Sequence, residues 1–160
     1  MSQGTLSLWR NAFFPSTRPL RPQFKHRALV GIGGNEGKVV ERFGRLMRYW
    51  MNCRLVHVVE TSPLLKNPPF GYTDQPDFFN ALAWVQTSLS PQAFLKHLLH
   101  VEKHFGRVRS FKYAPRTLDL DLIFFDAVVL NTPRLILPHP HWSQRLSVTL
   151  PLGMMEHKGL

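Results

Sequence analysis

The run of alternating residues that begins at Leu118 limits the fold of this chain more than any other stretch. Every second position is apolar, which separates two sets of side chains: Leu118, Leu120, Leu122 and Phe124 on one side, and Asp119, Asp121 and Ile123 on the other. Such alternation is typical of a β-strand that is buried on one face. Because side chains two residues apart point to the same face, Asp119 and Asp121 are expected side by side, roughly 6–7 Å apart.

This pair of aspartates indicates a metal site. Like charges at that distance repel each other unless a cation lies between them, and Asp is disfavoured within strands. Mg²⁺ usually takes one or two carboxylates together with substrate phosphates. The loop just before the strand supplies cations that suit phosphate, namely Arg107, Arg109, Lys112 and Arg116. The alternative is a solvated strand face that follows a basic loop.

The order of the predicted elements indicates an α+β fold. Strands are expected at 27–32, 54–60, 78–87 and from 118 onward, and helices at 38–51 and from the Ser90-Pro91 cap to Gly106. This order of strand, helix, strand, strand, helix, strand is that of the ferredoxin-like arrangement, an antiparallel sheet with the helices packed on one face. A small hairpin is expected over 127–133, and little regular structure beyond 152.

The length of 160 residues predicts one domain with a core of its own. Residues 1–26 are basic and contain prolines, and we expect them to form a flexible or loosely docked extension before a single domain at 27–160. A transit peptide is the alternative for the extension, although its prolines argue against a long amphipathic helix. A lone cysteine, Cys53, excludes an internal disulfide, and no apolar run approaches the roughly 20 residues of a membrane span. We therefore expect a cytoplasmic protein without a membrane partner.

The net charge of +10 allows two kinds of anionic partner. An RNA-binding module of this fold would carry an RNP1-type pattern, which the sequence lacks, and aspartates on its sheet would repel phosphate. A site for a polyanionic nucleotide would gather the same positive charge, much of which lies at 106–116. We therefore expect a nucleotide ligand and no nucleic acid.

Four segments carry a resemblance to a known family. GRVR at 106–109 followed by PRTLDLD at 115–121, and DQPDFFNA at 74–81, are specific, whereas GIGGNEG at 31–37 and RLILPH at 134–139 are weaker. In this order they resemble the 6-hydroxymethyl-7,8-dihydropterin pyrophosphokinases of folate biosynthesis. The resemblance implies that the domain at 27–160 is catalytic. It also implies that a pyrophosphoryl group passes from ATP to the hydroxymethyl group of 6-hydroxymethyl-7,8-dihydropterin, with release of AMP.

The same resemblance implies roles for individual residues and two Mg²⁺ ions that Asp119 and Asp121 would hold with ATP. We also expect a monomer. The catalytic set is Arg107, Arg116, Asp119 and Asp121. The ATP-binding set is Glu102, Arg109, Lys112, His139 and Arg145. The pterin-binding set is Thr61, Pro63, Phe70, Gly71, Phe78, Asn80 and Tyr113. Chemistry supports two of the last set, because Asn80 offers a donor and an acceptor to the pterin edge and Phe78 can stack on the ring.

The sequence also departs from the family pattern. Lys112-Tyr113-Ala114 stands where members often carry Arg-Trp-Gly, and Ser147 stands where they often carry an aromatic residue against the second pterin face. Phe70 and Trp142 are candidates to replace that aromatic residue, and the expected consequence is altered pterin affinity with activity retained. The loop at 61–73 is longer than in many members and is either a lid or a surface connection. A relative that binds nucleotide without catalysis is a further alternative.

The second predicted helix carries two polar features. Glu102 falls within its apolar arc, so its carboxylate needs a partner: either a loop arginine, Arg107 or Arg109, or a position that shapes the nucleotide pocket. Three histidines share the opposite face of the helix, where a solvated surface is favoured over a metal site: His97, His100 and His104.

Overall fold

The protein is described by a computed structural model that covers residues 5–69, 71–107, 113 and 115–157. Its strands are β1 (Ser7–Trp9), β2 (Ser16–Thr17), β3 (His26–Gly34), β4 (Val56–Thr61), β5 (Leu64–Asn67), β6 (Phe78–Thr87), β7 (Asp119–Phe125), β8 (Leu130–Asn131) and β9 (Ile136–Leu137). Its helices are α1 (Val39–Met51), α2 (Pro91–His104) and α3 (Leu146–Gly153), with a 3₁₀ turn at Trp142–Gln144. Within the described ranges, no helix combines the length and the apolar content that crossing a membrane requires.

Seven of these strands, β1 to β7, form one sheet in which the described pairings are antiparallel. β6 is the longest strand: it pairs with β3 on one edge and with both β4 and β5 on the other. β7 pairs with the free edge of β3, so the two central strands are β3 and β6. β8 and β9 form a separate two-stranded pair. The predicted α+β fold with an antiparallel sheet is confirmed.

The main core lies between the sheet and the helices α1 and α2, which pack on the same face. Phe43 and Trp50 of α1, and Phe94 and Leu98 of α2, are buried there against the sheet. Each fully buried side chain of this size stabilises the fold by roughly 1.5–3 kcal/mol. As predicted, Ser90 is the N-cap of α2, and its hydroxyl accepts a hydrogen bond from the backbone N–H of Ala93 at 3.2 Å.

One histidine of α2 differs from the prediction. His97 is only 8% exposed, and its Nε2 accepts a hydrogen bond from the indole N–H of Trp50 at 3.1 Å. Burial lowers the pKa of His97, so the ring is kept neutral as an acceptor. His100 and His104 are exposed as expected, but the prediction of a solvated face is wrong for His97.

A smaller core covers part of the opposite face of the sheet, and α3, which the sequence did not predict, contributes Val148 to it. The helix contains Pro151 and has no side-chain cap, so it lacks the usual sequence signals of a helix. The buried members of this second core are Leu29, Val59, Leu82, Trp84, Ile123, Val148 and Met155.

Two irregularities shift which face the strand residues occupy. The β3–β7 register passes from Leu29 opposite Phe124 to Val30 opposite Leu122, so Ile123 is the extra residue of a bulge. Alternation therefore holds from Leu118 to Leu122, but Phe124 packs against the second core and not beside Leu122 as predicted. A second shift lies between Val58 and Glu60 of β4, where Val59 is the extra residue.

The N-terminal segment is part of the sheet and the core. β1 pairs with β5, β2 pairs with β4, and Phe14 between them is 0% exposed. Ser16 and Thr61 share a hydrogen bond of 3.0 Å between their hydroxyls. This differs from the expected flexible or loosely docked extension, because strands of two or three residues are too short to show periodicity.

Candidate active site

The two predicted metal ligands lie on the sheet face away from α1 and α2. Asp119 is opposite Gly33 and Asp121 is opposite Gly31 in the β3–β7 register, while Leu120 between them enters the main core. The two glycines leave this part of the face without side chains: a Cβ on Gly31 would lie 3.6 Å from the Cβ of Asp121. The carboxylates therefore border an open surface.

Arginines hold Asp119 from both sides. Arg107 donates from Nη1 to Asp119 Oδ1 at 2.6 Å and to Glu102 Oε2 at 2.5 Å, and Arg116 donates to Asp119 Oδ2 at 3.0 Å. The same Glu102 oxygen accepts the backbone N–H of Leu120 at 2.8 Å. The predicted pairing of Glu102 with a loop arginine is confirmed for Arg107, and Glu102 also anchors the strand that carries the aspartates.

The environment of this cluster changes its acidities. Burial raises the pKa of Glu102, although the Leu120 N–H and the Arg107 charge act in the opposite direction. Burial alone would lower the pKa of Arg107, but the charges of Asp119 and Glu102 outweigh it and the pKa is raised, so Arg107 stays a cation.

Asp121 has the most perturbed acidity of the site. Part of the residue is exposed, but loss of hydration around its carboxyl, followed by the negative charge of Asp119, raises its pKa to about 7. The positive charges of Arg145 and Arg116 act in the opposite direction. A nearby cation would stabilise the ionised form of such a carboxylate.

Two of the residues predicted to bind ATP, Glu102 and His139, lie at one cavity with the two aspartates. A cavity of about 280 Å³ has among its walls Glu102, Arg107, Asp119, Asp121, Arg134 and His139. The backbone N–H of His139 donates to the carbonyl oxygen of Ile123 at 2.8 Å, which fixes the segment beside β7. Burial, followed by the positive charge of Arg145, lowers the pKa of His139. Arg109 and Lys112 lie outside the described residues.

The pterin-side residues are partly brought together. Asn80 lies across Gly33 from Asp119, so two strand spacings, roughly 10 Å, separate them. Phe78 shares the face of Asn80, which donates from Nδ2 to Asn67 Oδ1 at 2.6 Å. Tyr113 lies against Gly71, where an added Cβ would be 2.6 Å from the ring.

Thr61 is not part of this surface. The extra residue at Val59 turns Thr61 to the face of the main core, opposite Ala83, and its hydroxyl donates to the carbonyl oxygen of Phe13 at 2.5 Å. The expectation that Thr61 contacts the pterin is therefore wrong, since its side chain is used to anchor the N-terminal segment. Pro63 is buried at the start of β5, and Phe70 lies outside the described residues.

Sequence reasoning gave no role to two amides that the structure places at the centre of the site loops. Asn35 is 3% exposed and bonds to the loop at 71–77 and to Arg116. Gln75 bonds to Asn35 and to the backbone of Tyr113. Asn35 lies inside the segment GIGGNEG and Gln75 inside DQPDFFNA. An amide side chain within a loop motif is therefore the sequence feature that could have pointed to them.

Comparison with known proteins adds a family and named relatives. The model of the family described as 7,8-dihydro-6-hydroxymethylpterin-pyrophosphokinase (HPPK) matches residues 29–157, a range that contains all the predicted site residues. The chain is 42% identical over 146 residues to the 2-amino-4-hydroxy-6-hydroxymethyldihydropteridine pyrophosphokinase of Helicobacter pylori. The matched residues cover 90% of each of the two chains. It is 42% identical over 153 residues to the enzyme of the same name from Campylobacter jejuni, covering 96% of this chain and 98% of the relative. The enzyme so named from Bacillus subtilis is 33% identical over 126 residues, 79% of this chain and 75% of the relative.

Proposed function

The chain belongs to the 7,8-dihydro-6-hydroxymethylpterin-pyrophosphokinase family, and we propose that it transfers a pyrophosphoryl group from ATP to 6-hydroxymethyl-7,8-dihydropterin, releasing AMP. It is an ATP-dependent diphosphotransferase of folate biosynthesis. The observation that carries the proposal is the cluster of Arg107, Arg116 and Asp119 beside Asp121, on an open sheet face that also bears Asn80.

The donor set fits Mg²⁺. Asp119 and Asp121 supply hard carboxylate oxygens, and no group of three or more His, Cys, Asp or Glu side chains that could hold a metal is found among the described residues. Two carboxylates without a full protein cage are typical for Mg²⁺, which keeps waters and binds substrate phosphates. We expect two ions, which when bound would neutralise negative charge on the ATP phosphates.

The arginines act on the phosphates. Arg107 and Arg116 already point into the cluster through their bonds to Asp119, and ATP phosphates would compete for the same donors. Further cations of the ATP side would be Arg109, Lys112 and Arg145, with His139 and Glu102 shaping the pocket. Charge that shifts towards the leaving AMP during transfer would then be stabilised by preorganised donors.

The transfer step needs positioning more than covalent help from the protein. The hydroxymethyl oxygen of the pterin forms a bond to the β-phosphorus, the bond from that phosphorus to the oxygen of the α-phosphate breaks, and AMP leaves with the electron pair. The proton of the hydroxymethyl group passes to solvent. Asn80 would hold the pterin edge roughly 10 Å from Asp119, leaving room for the hydroxymethyl arm between them.

The remaining parts of the proposal concern the pterin pocket and the state of the protein. Phe78, Gly71 and Tyr113 would form its walls, with Pro63 beside them and Phe70 as a further candidate. We also propose that the protein acts as a monomer in the cytoplasm without nucleic acid, and that residues 27–160 carry the catalytic function while the N-terminal segment completes the same sheet and core.

The test is AMP release from ATP and Mg²⁺ with and without the pterin. Wild type should release AMP only with the pterin, and Asp121→Ala should lower the rate by at least about a hundredfold, as expected for loss of a phosphate-binding metal. The matched control is Asp126→Asn, because Asp126 follows β7 at its other end and binds the Arg27 N–H, away from the cluster. ATP binding with Mg²⁺ but without AMP release would identify a relative without catalysis. Binding of RNA without Mg²⁺ would refute the family function.

A further inference from the structure

The strand β1 lies beside the pterin side of the candidate site, although it precedes the range that the family model matches, which begins at residue 29. It pairs antiparallel with β5, so that Trp9 is opposite Leu64. The other edge of β5 pairs with β6, the strand that carries Phe78 and Asn80. Because neighbouring strands lie about 4.8 Å apart, β1 is roughly 10 Å from these pterin-side residues.

The side chain of Trp9 connects β1 with β6 across β5. Its indole ring meets the ring of Phe79 edge to face, with 5.2 Å between the ring centroids and 82° between the ring planes. The ammonium group of Lys66 lies over both rings, 5.6 Å from the centroid of Trp9 and 5.9 Å from that of Phe79. Both kinds of contact are attractive. Since Phe79 stands between Phe78 and Asn80 in β6, Trp9 holds that part of the strand from the opposite face of the sheet.

A row of three side chains connects the same strands on the pterin face. Leu8 of β1 is opposite Leu65 of β5, and Leu65 is opposite Asn80 of β6. Side chains that are directly opposite each other in an antiparallel pair share a face. The next residue of β5 on this face is Asn67, whose Oδ1 accepts a hydrogen bond from Asn80 Nδ2 at 2.6 Å. The position of β5 therefore decides how the amide of Asn80 is oriented.

The chain that follows β1 fixes this strand to the core. Asn11 forms a turn in which its Oδ1 accepts the backbone N–H groups of Phe13 and Phe14, each at 3.0 Å. Phe14 is 0% exposed in the main core, and the carbonyl oxygen of Phe13 accepts the hydroxyl of Thr61. Because the segment is anchored directly after this turn, β1 has a defined position from which it can hold β5.

We propose that β1, through Trp9, is a positioning element that keeps β5 and the amide of Asn80 in the arrangement that binds the pterin. The proposal rests on the proposed function, because it concerns the affinity of the same pocket. A pocket that is ordered before its ligand arrives loses less conformational entropy on binding, and so binds more tightly. Trp9 itself touches no reacting group.

The sheet order separates this effect from the ATP side. The strands follow each other as β1, β5, β6, β3 and β7, so β1 and the strand that carries Asp119 and Asp121 are at opposite ends. Loss of the Trp9 contacts is therefore expected to raise the KM for the pterin, and to leave kcat and the KM for ATP nearly unchanged.

Two substitutions of Trp9 test the ring contact. Trp9→Ala removes the ring from Phe79 and Lys66, and should raise the KM for the pterin about five- to twentyfold, with kcat and the KM for ATP within about twofold of wild type. Trp9→Phe keeps a ring against Phe79 and should bring the KM for the pterin back to within about twofold of wild type. Because Trp9 is 45% exposed, neither change opens a cavity in the core.

Tyr49→Ala is the matched control. The ring centroid of Tyr49 lies 4.9 Å from that of His104 and 6.0 Å from that of Phe105, among the helices and away from β5. Loss of these ring contacts should lower Tm at least as much as Trp9→Ala does, and should leave the KM for the pterin unchanged. An equal rise of this KM in Tyr49→Ala, or an unchanged KM in Trp9→Ala, would overturn the proposal.

Hydrogen exchange gives a second readout that needs no substrate. In Trp9→Ala, the backbone amides of β5 should exchange faster than in wild type and those of β7 at the wild-type rate, whereas Tyr49→Ala should leave β5 unchanged. Wild-type exchange of β5 in Trp9→Ala would refute the hold of β1 on this strand. If wild type released no AMP, the proposed function would fail, and the exchange pattern would still decide whether β1 orders β5.

Discussion

Asp121→Asn is expected to change how the stability of the metal-free protein depends on pH. The pKa of Asp121 is raised from 3.8 to about 7 in the folded chain. A raised pKa means that the folded state binds the proton more tightly, so this contribution to stability is full below the unfolded pKa and is lost as pH rises through about 7. The asparagine variant does not titrate and should lack this dependence.

The size of the effect follows from the shift. At about 1.36 kcal/mol per pKa unit, raising the pH from 5 to 8 should remove about 2–3 kcal/mol of wild-type stability through this one group. The free energy of unfolding of Asp121→Asn, relative to wild type, should therefore rise by that amount between pH 5 and pH 8. Groups whose charges do not interact with Asp121 cancel in the difference.

The assay is urea unfolding at both pH values with EDTA present, on wild type, Asp121→Asn and the exposed control Asp74→Asn. The control should follow wild type at both pH values. Parallel pH profiles for wild type and Asp121→Asn would refute the reasoning, because they would show that Asp121 ionises without cost. Adding Mg²⁺ with ATP at pH 8 should then raise the Tm of wild type and leave that of the variant nearly unchanged.

Three further predictions concern the floor of the site, its arginine and the N-terminal segment. Gly33→Ala places a Cβ 2.8 Å from Asn80 Oδ1, so the amide must shift and the KM for the pterin should rise about tenfold in steady-state assays, with the KM for ATP unchanged. Arg107→Lys keeps a positive charge but loses the planar guanidinium, whose Nη1 donates to both Glu102 and Asp119 and which would bind phosphate, so kcat should fall at least about a hundredfold; wild-type kcat would contradict the phosphate role. Phe14→Ala should lower the free energy of unfolding by about 3–5 kcal/mol, whereas a loss below about 1 kcal/mol would show that the segment does not belong to the core.

The sequence predicted those helices and strands that have a clear hydrophobic period or a capping residue of their own. The strand at 78–87, the cap at Ser90 and the start of α1 agree with the structure within a residue, because hydrophobic period and capping chemistry are local properties. The placement of Asp119 and Asp121 on one face followed from period alone. That the two aspartates lie near Asn80 could be expected only from the antiparallel pairing of β3 with β6 and β7. This pairing is part of the predicted ferredoxin-like arrangement.

Long-range packing explains what the sequence did not predict. Phe14 enters the core from a segment without periodicity, and α3 is held by apolar contacts although it contains Pro151. His97 was assigned to a solvated face, but the indole of Trp50 on the other helix offered it a buried partner. Thr61 was placed on the pterin side by the family resemblance, and the sequence contains no sign of the extra residue at Val59 that turns Thr61 towards the main core.

Because of the bulge at Ile123, the number of residues in β7 matters to the fold as much as their identity. Before the bulge, the strand directs its carboxylates to the open face, and after it Phe125 returns to the main core. Deleting a single residue from this strand would turn the side chains on one side of the deletion to the opposite face of the sheet. Either the aspartates would then be buried against α2, or Phe125 would be exposed to solvent. Insertions and deletions within 119–125 should therefore be far less tolerated than substitutions such as Ile123→Val, and homologous chains should vary in length elsewhere.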